Sequence, residues 1–128
     1  GEIWRKLLIN VAINPVCAIA GVRNGALLEI NELWAQAVET MKEAELVALE
    51  LGVNLGQIDN EEYLKGVVIS TSENRVSMLQ DLMSGRKTEI DVLCGEIVSI
   101  GEKLGIPTPK NSILFALVKG IEMSQHLD

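Results

Sequence analysis

Lys6, Asn10 and Asn14 recur at four-residue intervals, in and just past a segment, Ile3 to Ile13, that is otherwise almost wholly apolar. At about 100° per residue and ~1.5 Å rise, the three form a short polar stripe within roughly an 80° arc of one helix. Trp4, Leu7, Leu8, Ile9, Val11, Ala12 and Ile13 take up most of the remaining circumference. A helix apolar nearly all round is usually buried, and an ammonium and two carboxamides removed from water need partners. A lysine amine facing a polarised oxygen, with asparagine donors and acceptors orienting the molecule that carries it, is general-acid chemistry. A second reading stays open on spacing alone: Lys6 extends to water while the asparagines bond backbone or each other.

Other polar residues are less marked. Glu89 stands at the edge of an apolar stripe, one place after Thr88, where a carboxylate also suits the first turn of a helix. Ser77 is a small polar residue in a first turn, a position equally suited to capping. Cys17 and Cys94 sit among apolar neighbours with no CxxC spacing, which favours core thiols in a reducing, cytoplasmic setting. His126, the single histidine, lies three residues from the end and reads as frayed tail. Neither a zinc site nor a Ser-His-Asp triad is supported. Gly21-Val22-Arg23-Asn24-Gly25 follows no strand and lacks the spacing of a dinucleotide fingerprint.

The 128 residues suit one domain, 1–128, with a substantial core; the chain is 48% hydrophobic and 23% charged. A formal net charge of −7 argues against nucleic acid and against anionic membrane surfaces as partners. The apolar stretch nearest to a membrane span, Leu7 to Val22, is interrupted by Asn10 and Asn14-Pro15 and is too short. The chain opens at Gly1 on an apolar helix with no initiator methionine, which suits an excised or processed domain.

To position the stripe, the sequence offers a first helix over about Ile3–Ile13. Pro15 stops or kinks it, and Val16–Ala20 can resume it. Arg23-Asn24-Gly25 is a turn. A long helix follows, with Asn31 as N-cap, Trp34, Ala37, Val38, Met41, Ala44, Ala48 and Leu51 as its apolar face, and Gly52 past its end. Glu39, Lys42, Glu43 and Glu50 form its solvated face. Asn54 to Asn60 is loop, and Asp59 or Asn60 caps a helix reaching Ile69. Ser70 to Asn74 breaks it, a short helix covers Val76–Met83, and Thr88 caps a longer one over Glu89–Leu104. Ile106-Pro107-Thr108-Pro109 is extended connector, and Asn111 caps a last helix to about Met123. No alternating strand pattern and no 20–50-residue repeat is present. The class is all-α, with six or so helices.

Two segments carry more than their spacing. Trp4-Arg5-Lys6-Leu7-Leu8-Ile9-Asn10-Val11-Ala12-Ile13-Asn14-Pro15 resembles the helix that opens the C-terminal domain of ketopantoate reductases (2-dehydropantoate 2-reductases). Ser77-Met78-Leu79-Gln80-Asp81-Leu82, followed by Gly85-Arg86-Lys87-Thr88-Glu89-Ile90-Asp91, is similar to that domain's second signature, and Gly105-Ile106-Pro107-Thr108-Pro109 fits its end. The resemblance spans essentially the whole chain.

It implies a helical domain of the 6-phosphogluconate dehydrogenase C-terminal-like type, acting with an N-terminal Rossmann domain that holds NADPH. The reaction it implies is reduction of 2-dehydropantoate to (R)-pantoate, on the route to pantothenate and coenzyme A. Carried over, Lys6 matches the general acid that protonates the carbonyl oxygen, and Asn10 and Asn14 match the asparagines that orient the substrate. Ser77 matches the serine near its carboxylate, Glu89 a glutamate at the substrate and nicotinamide end of the cleft, and Asn24 a further polar position facing the site. The Rossmann half is missing from this sequence, so the 128 residues alone are expected to be inactive, and the face left open is expected to favour a homodimer. Two alternatives remain: a relative acting on another small 2-keto acid, and a helical dimerisation or interaction module without catalysis.

Overall fold

The computed structural model describes residues 1–125 and is helical, with no strand among them. In chain order the helices are α1 (Glu2–Ala20), α2 (Ala26–Glu29), α3 (Asn31–Glu50), α4 (Asn60–Ser70), α5 (Ser77–Met83), α6 (Cys94–Leu104) and α7 (Pro109–Ser124), with a 3₁₀ turn at Ile90–Val92 before α6. The expected tail at His126 lies outside the described residues.

The all-helical class follows from the apolar spacing, and the architecture follows from α1. Leu8, Val11, Ala12 and Cys17 of this helix are fully buried, and α3, α4, α5 and α7 all pack on it. The largest of these interfaces is with α3, whose inward face carries Ala37, Ala44 and Ala48 beside Val38, Met41 and Val47. Small side chains on both helices let the backbones approach closely enough for the larger ones to interlock.

Pro15 does not stop α1. The helix runs 19 residues, through the proline, to a left-handed Gly21 (φ 69°) whose amide bonds back to Cys17. A proline inside a helix forfeits one backbone bond and strains the preceding turn by about 3 kcal/mol. Here Pro15 is buried with Ile13, Val16 and Cys17, so the surrounding packing holds the helix through it. At this length α1 is long and apolar enough to cross a membrane, but 56% of its most apolar window is buried inside this fold, as befits a core helix.

Other boundaries differ from expectation for equally local reasons. Helix α2 is one turn long and too short to show periodicity. The expected Glu89–Leu104 helix is broken at Leu93 (φ −104°, ψ −102°), and only its Cys94–Leu104 part is α-helical. Just past the break, Gly95 lets α6 pass tightly under α7: a Cβ there would lie 2.9 Å from the Phe115 ring. Ile30, not Asn31, precedes α3, and its side chain caps nothing. Asp59 caps α4 as expected, accepting from the amides of Glu61 and Glu62.

Asn111 is not the cap of α7. That helix begins at Pro109 after Thr108, and Asn111 is fully buried one turn in. The cap comes from α3: Glu43 accepts the amides of Lys110 (2.9 Å) and Asn111 (3.0 Å) and the Asn111 carboxamide (2.9 Å). Glu43 is therefore part of the α3–α7 joint, not of a solvated face.

Candidate functional site

Burial grades along the polar stripe of α1. Lys6 is exposed, Asn10 and Asn14 are half-buried, and Cys17, on the same arc one turn further, is buried. Lys6, Asn10 and Asn14, with Ile3 and Leu7 beside them, mark the side of α1 that packing leaves open, and the arc closes over at Cys17. Among the described residues, the Lys6 ammonium makes no hydrogen bond or ion pair, and neither carboxamide bonds another protein group. Lys6 thus reaches solvent, as the second reading has it, whereas the asparagine side chains bond neither backbone nor each other. Three uncommitted polar heads instead share one wall. The best-formed clefts on the described surface are lined by other residues.

The first turn of α1 is held from the opposite side. Arg5, only 9% exposed, donates Nε to Asn60 Oδ1 (3.2 Å) and Nη2 to the Leu55 carbonyl. Its guanidinium also lies 6.0 Å from the Tyr63 ring centroid. Asn60 passes the charge on, donating Nδ2 to Glu45 Oε2 at 2.5 Å. A buried cation thus reaches its compensating carboxylate through a carboxamide. This network fixes the turn that carries Lys6, and its partners lie too far along the sequence for spacing to reveal it.

Ser77 opens α5 and is exposed, with its hydroxyl unbonded to other described residues. Its place relative to α1 follows from the loop before it, where Arg75 Nη1 donates to the Gly21 carbonyl at 3.2 Å. That bond ties the segment just before α5 to the C-terminal end of α1, the end nearer Asn14 than Lys6, and α5 packs on α1. Asn24 stands apart from the other candidates because it is already bonded. It is buried, donates Nδ2 to Thr71 Oγ1 (3.0 Å) and its backbone amide to Asn74 (2.9 Å). Only its Oδ1 is buried without a partner.

Glu89 comes from a separate, braced segment and makes no hydrogen bond or ion pair with α1. Next to it, the Thr88 amide and hydroxyl both donate to Glu122 Oε2 of α7 (2.7 and 2.6 Å), and Thr88 Oγ1 accepts from Ile90. Lys119 adds ion pairs to Asp91 (3.2 Å) and Glu122 (3.6 Å). The hydrogen bond to Asp91, helped by both nearby carboxylates, holds its ammonium above the ordinary lysine range. Pinning Thr88 inward leaves the Glu89 carboxylate exposed at the surface.

Burial pushes both thiols, Cys17 and Cys94, up to about 12, which removes them as nucleophiles. Among the described residues no group of three or more His, Cys, Asp and Glu gathers as a metal site. Nor does any strand precede a Gly-rich turn that could cradle a dinucleotide.

Comparison with known proteins agrees over nearly the full length. The family model for the ketopantoate reductase PanE/ApbA C-terminal domain matches residues 1–122. The 2-dehydropantoate 2-reductase of Archaeoglobus fulgidus is 39% identical over 121 residues, 94% of this chain but 40% of that protein. The crystal structure of a PanE/ApbA family ketopantoate reductase from Ralstonia eutropha superposes with a TM-score of 0.92 at 36% identity, covering 98% of this chain and 42% of that one. A D-mandelate dehydrogenase solved with NADH and anilino(oxo)acetate superposes at 0.88 with 28% identity, covering 96% of this chain and 68% of that one. The chain thus spans about 40% of the length of the curated relatives it matches. It belongs to the ketopantoate reductase family, as the C-terminal domain of that fold.

Proposed function

We propose that this domain is the substrate-binding, general-acid half of an NADPH-dependent 2-dehydropantoate 2-reductase, completed by an N-terminal Rossmann domain. The observation that carries this reading is the uncommitted Lys6–Asn10–Asn14 stripe on the open side of α1. A single wall makes no pocket, and a facing domain would close one over it.

The nucleotide, when bound by the other half, supplies a hydride to the ketone carbon. This chain's residues do the rest. As the carbonyl π bond breaks, negative charge collects on oxygen, and the Lys6 ammonium stabilises it and gives up one proton to form the hydroxyl. Asn10 and Asn14 hold the molecule along the stripe by donating to its oxygens and accepting from its hydroxyl. Ser77 donates to the carboxylate; the tie between the loop before it and the end of α1 favours the Asn14 end for that group, with the ketone toward Lys6. Glu89 contributes at the nicotinamide end, and Asn24 completes the polar lining behind Ser77.

A second reading keeps the chemistry and changes the substrate. The likeness to a D-mandelate dehydrogenase fits a domain that accepts other 2-keto acids on the same wall. Steady-state assays on the domain joined to its Rossmann half separate the two. The proposal expects 2-dehydropantoate to give the highest kcat/KM in a panel of 2-keto acids. A preference for an aryl 2-keto acid by tenfold or more would favour the alternative. The 128-residue chain alone is expected to oxidise no NADPH, and turnover by the isolated chain would contradict the division of labour.

A further inference from the structure

Two loops that meet beside Ser77 are laced more tightly than a surface crossing requires. The backbone amides of Asn24 and Gly25 donate to the carbonyls of Asn74 and Ser72, each at 2.9 Å. Asn24 Nδ2 reaches Thr71 Oγ1, which is itself anchored to Val67 at 2.8 Å. Two guanidiniums then cross between the loops in opposite directions. Arg23 Nη1 donates to the Glu73 carbonyl (2.7 Å), while Arg75 Nη1 donates to the Gly21 carbonyl (3.2 Å). The second contact also sets a cation at the C-terminal end of α1, where the helix dipole favours one.

Gly25 shows how close the approach is. Its φ of −59° is open to any residue, so conformation does not call for glycine. A Cβ there would instead lie 3.0 Å from the Ser72 carbonyl and 3.1 Å from Ser72 Cβ, on the opposite loop. The cleft at this crossing is lined by Glu29 and Glu73 as well as by the two arginines, so its charges balance. It is therefore not an anion site; the arginines are engaged with backbone.

We propose that the crossed Arg23–Glu73 and Arg75–Gly21 contacts, with the close approach at Gly25, are a positioning device. They hold the 71–76 loop on the end of α1 and so set the distance from Ser77 to the Asn10–Asn14 stripe. Arg23, Gly25 and Arg75 touch no substrate; they act through Ser77 and Asn24. The proposal rests on the reading of those two residues as the carboxylate end of the site.

Two measurements test it. In the 128-residue chain, Arg23→Ala and Arg75→Ala should each speed hydrogen exchange at the Asn24 and Gly25 amides about tenfold while α3 amides keep their protection. In the two-domain enzyme, the same variants and Gly25→Ala should raise KM for the 2-keto acid about tenfold, leave kcat within about twofold, and leave the nucleotide KM unchanged. Lysine at 23 or 75 should restore part of the loss, and Arg86→Ala, which removes only a surface pair with Asp81, should change none of these values. Unchanged exchange would overturn the clasp. Faster exchange with an unchanged substrate KM, or a fall in kcat alone, would overturn its role at the site. If Lys6→Ala leaves turnover intact, the catalytic reading itself has failed, and the exchange data stand apart from that result.

Discussion

Glu43 on α3 closes the start of α7 across 68 residues of sequence, its two carboxylate oxygens accepting from the Lys110 and Asn111 amides and from the Asn111 side chain. The Asn111 carboxamide also donates to the Thr40 carbonyl at 3.1 Å, so one side chain locks the helix end to α3 twice. Hydrogen bonds to a charged acceptor contribute roughly 1.5–3 kcal/mol. Glu43→Ala should therefore lower unfolding stability by about 2–3 kcal/mol in urea titrations of the 128-residue chain. Glu43→Gln, which keeps acceptor geometry with one fewer oxygen, should lose less. An alanine variant as stable as the parent would show that water takes over as acceptor for the Lys110 and Asn111 amides.

The Arg5–Asn60–Glu45 network makes a sharper prediction because its members are mutually dependent. Removing the guanidinium leaves a carboxamide and a carbonyl facing a buried gap, at a cost of about 3 kcal/mol. Lysine keeps the charge but not the fork that reaches Asn60 and Leu55 together, so Arg5→Lys should lose most of what Arg5→Met loses. Combined with Glu45→Gln, the losses should fall short of additive by about 1 kcal/mol or more in a double-mutant cycle. Full additivity would mean that Asn60 does not couple the two charges.

The raised thiols give stability a sign-definite pH dependence. Each stays protonated in the fold until about pH 12, whereas an unfolded thiol releases its proton from about pH 9, the value without burial. Between those limits the native state holds more protons, so stability is full below about pH 9 and falls as pH rises, by up to about 1.4 kcal/mol per pH unit for each thiol. The raised Lys119 acts in the same direction: its ion pairs to Asp91 and Glu122 stabilise at lower pH and are lost as pH rises through its folded value. Replacing both cysteines by alanine should flatten most of the slope between pH 9 and pH 11. A slope unchanged by that replacement would assign it elsewhere. In native protein at pH 8, a disulfide reagent should react with neither thiol until denaturant is added.

Much of this fold could be read from the sequence where one element holds all the information. Lys6, Asn10 and Asn14 lie on one helix, so their spacing alone sets them on one side, and the structure finds them there. Helices α3, α4 and α7 appear near their expected limits, α3 with the long apolar face its spacing marks. What escaped depends on partners far along the chain. Pro15 was read as a stop or kink because its ring breaks local bonding, and packing from other helices carries α1 through it. Glu43 read as solvated because Asn111 lies 68 residues away, and Arg5 was given no role because Asn60 lies 55 away. One local signal was available and passed over: Gly95, inside a segment otherwise suited to one continuous helix, marks the tight passage under Phe115 beside the break at Leu93.

The open side of α1 matters only if its ammonium delivers a proton to the reduced ketone. Single-turnover hydride transfer in the two-domain enzyme, parent against Lys6→Ala, measures that step without product release. The variant should fold with unchanged stability, since Lys6 bonds no described residue, yet transfer hydride at least about a hundredfold more slowly. Hydride transfer within twofold of the parent would show that Lys6 is a solvent-facing lysine and that the proton comes from elsewhere.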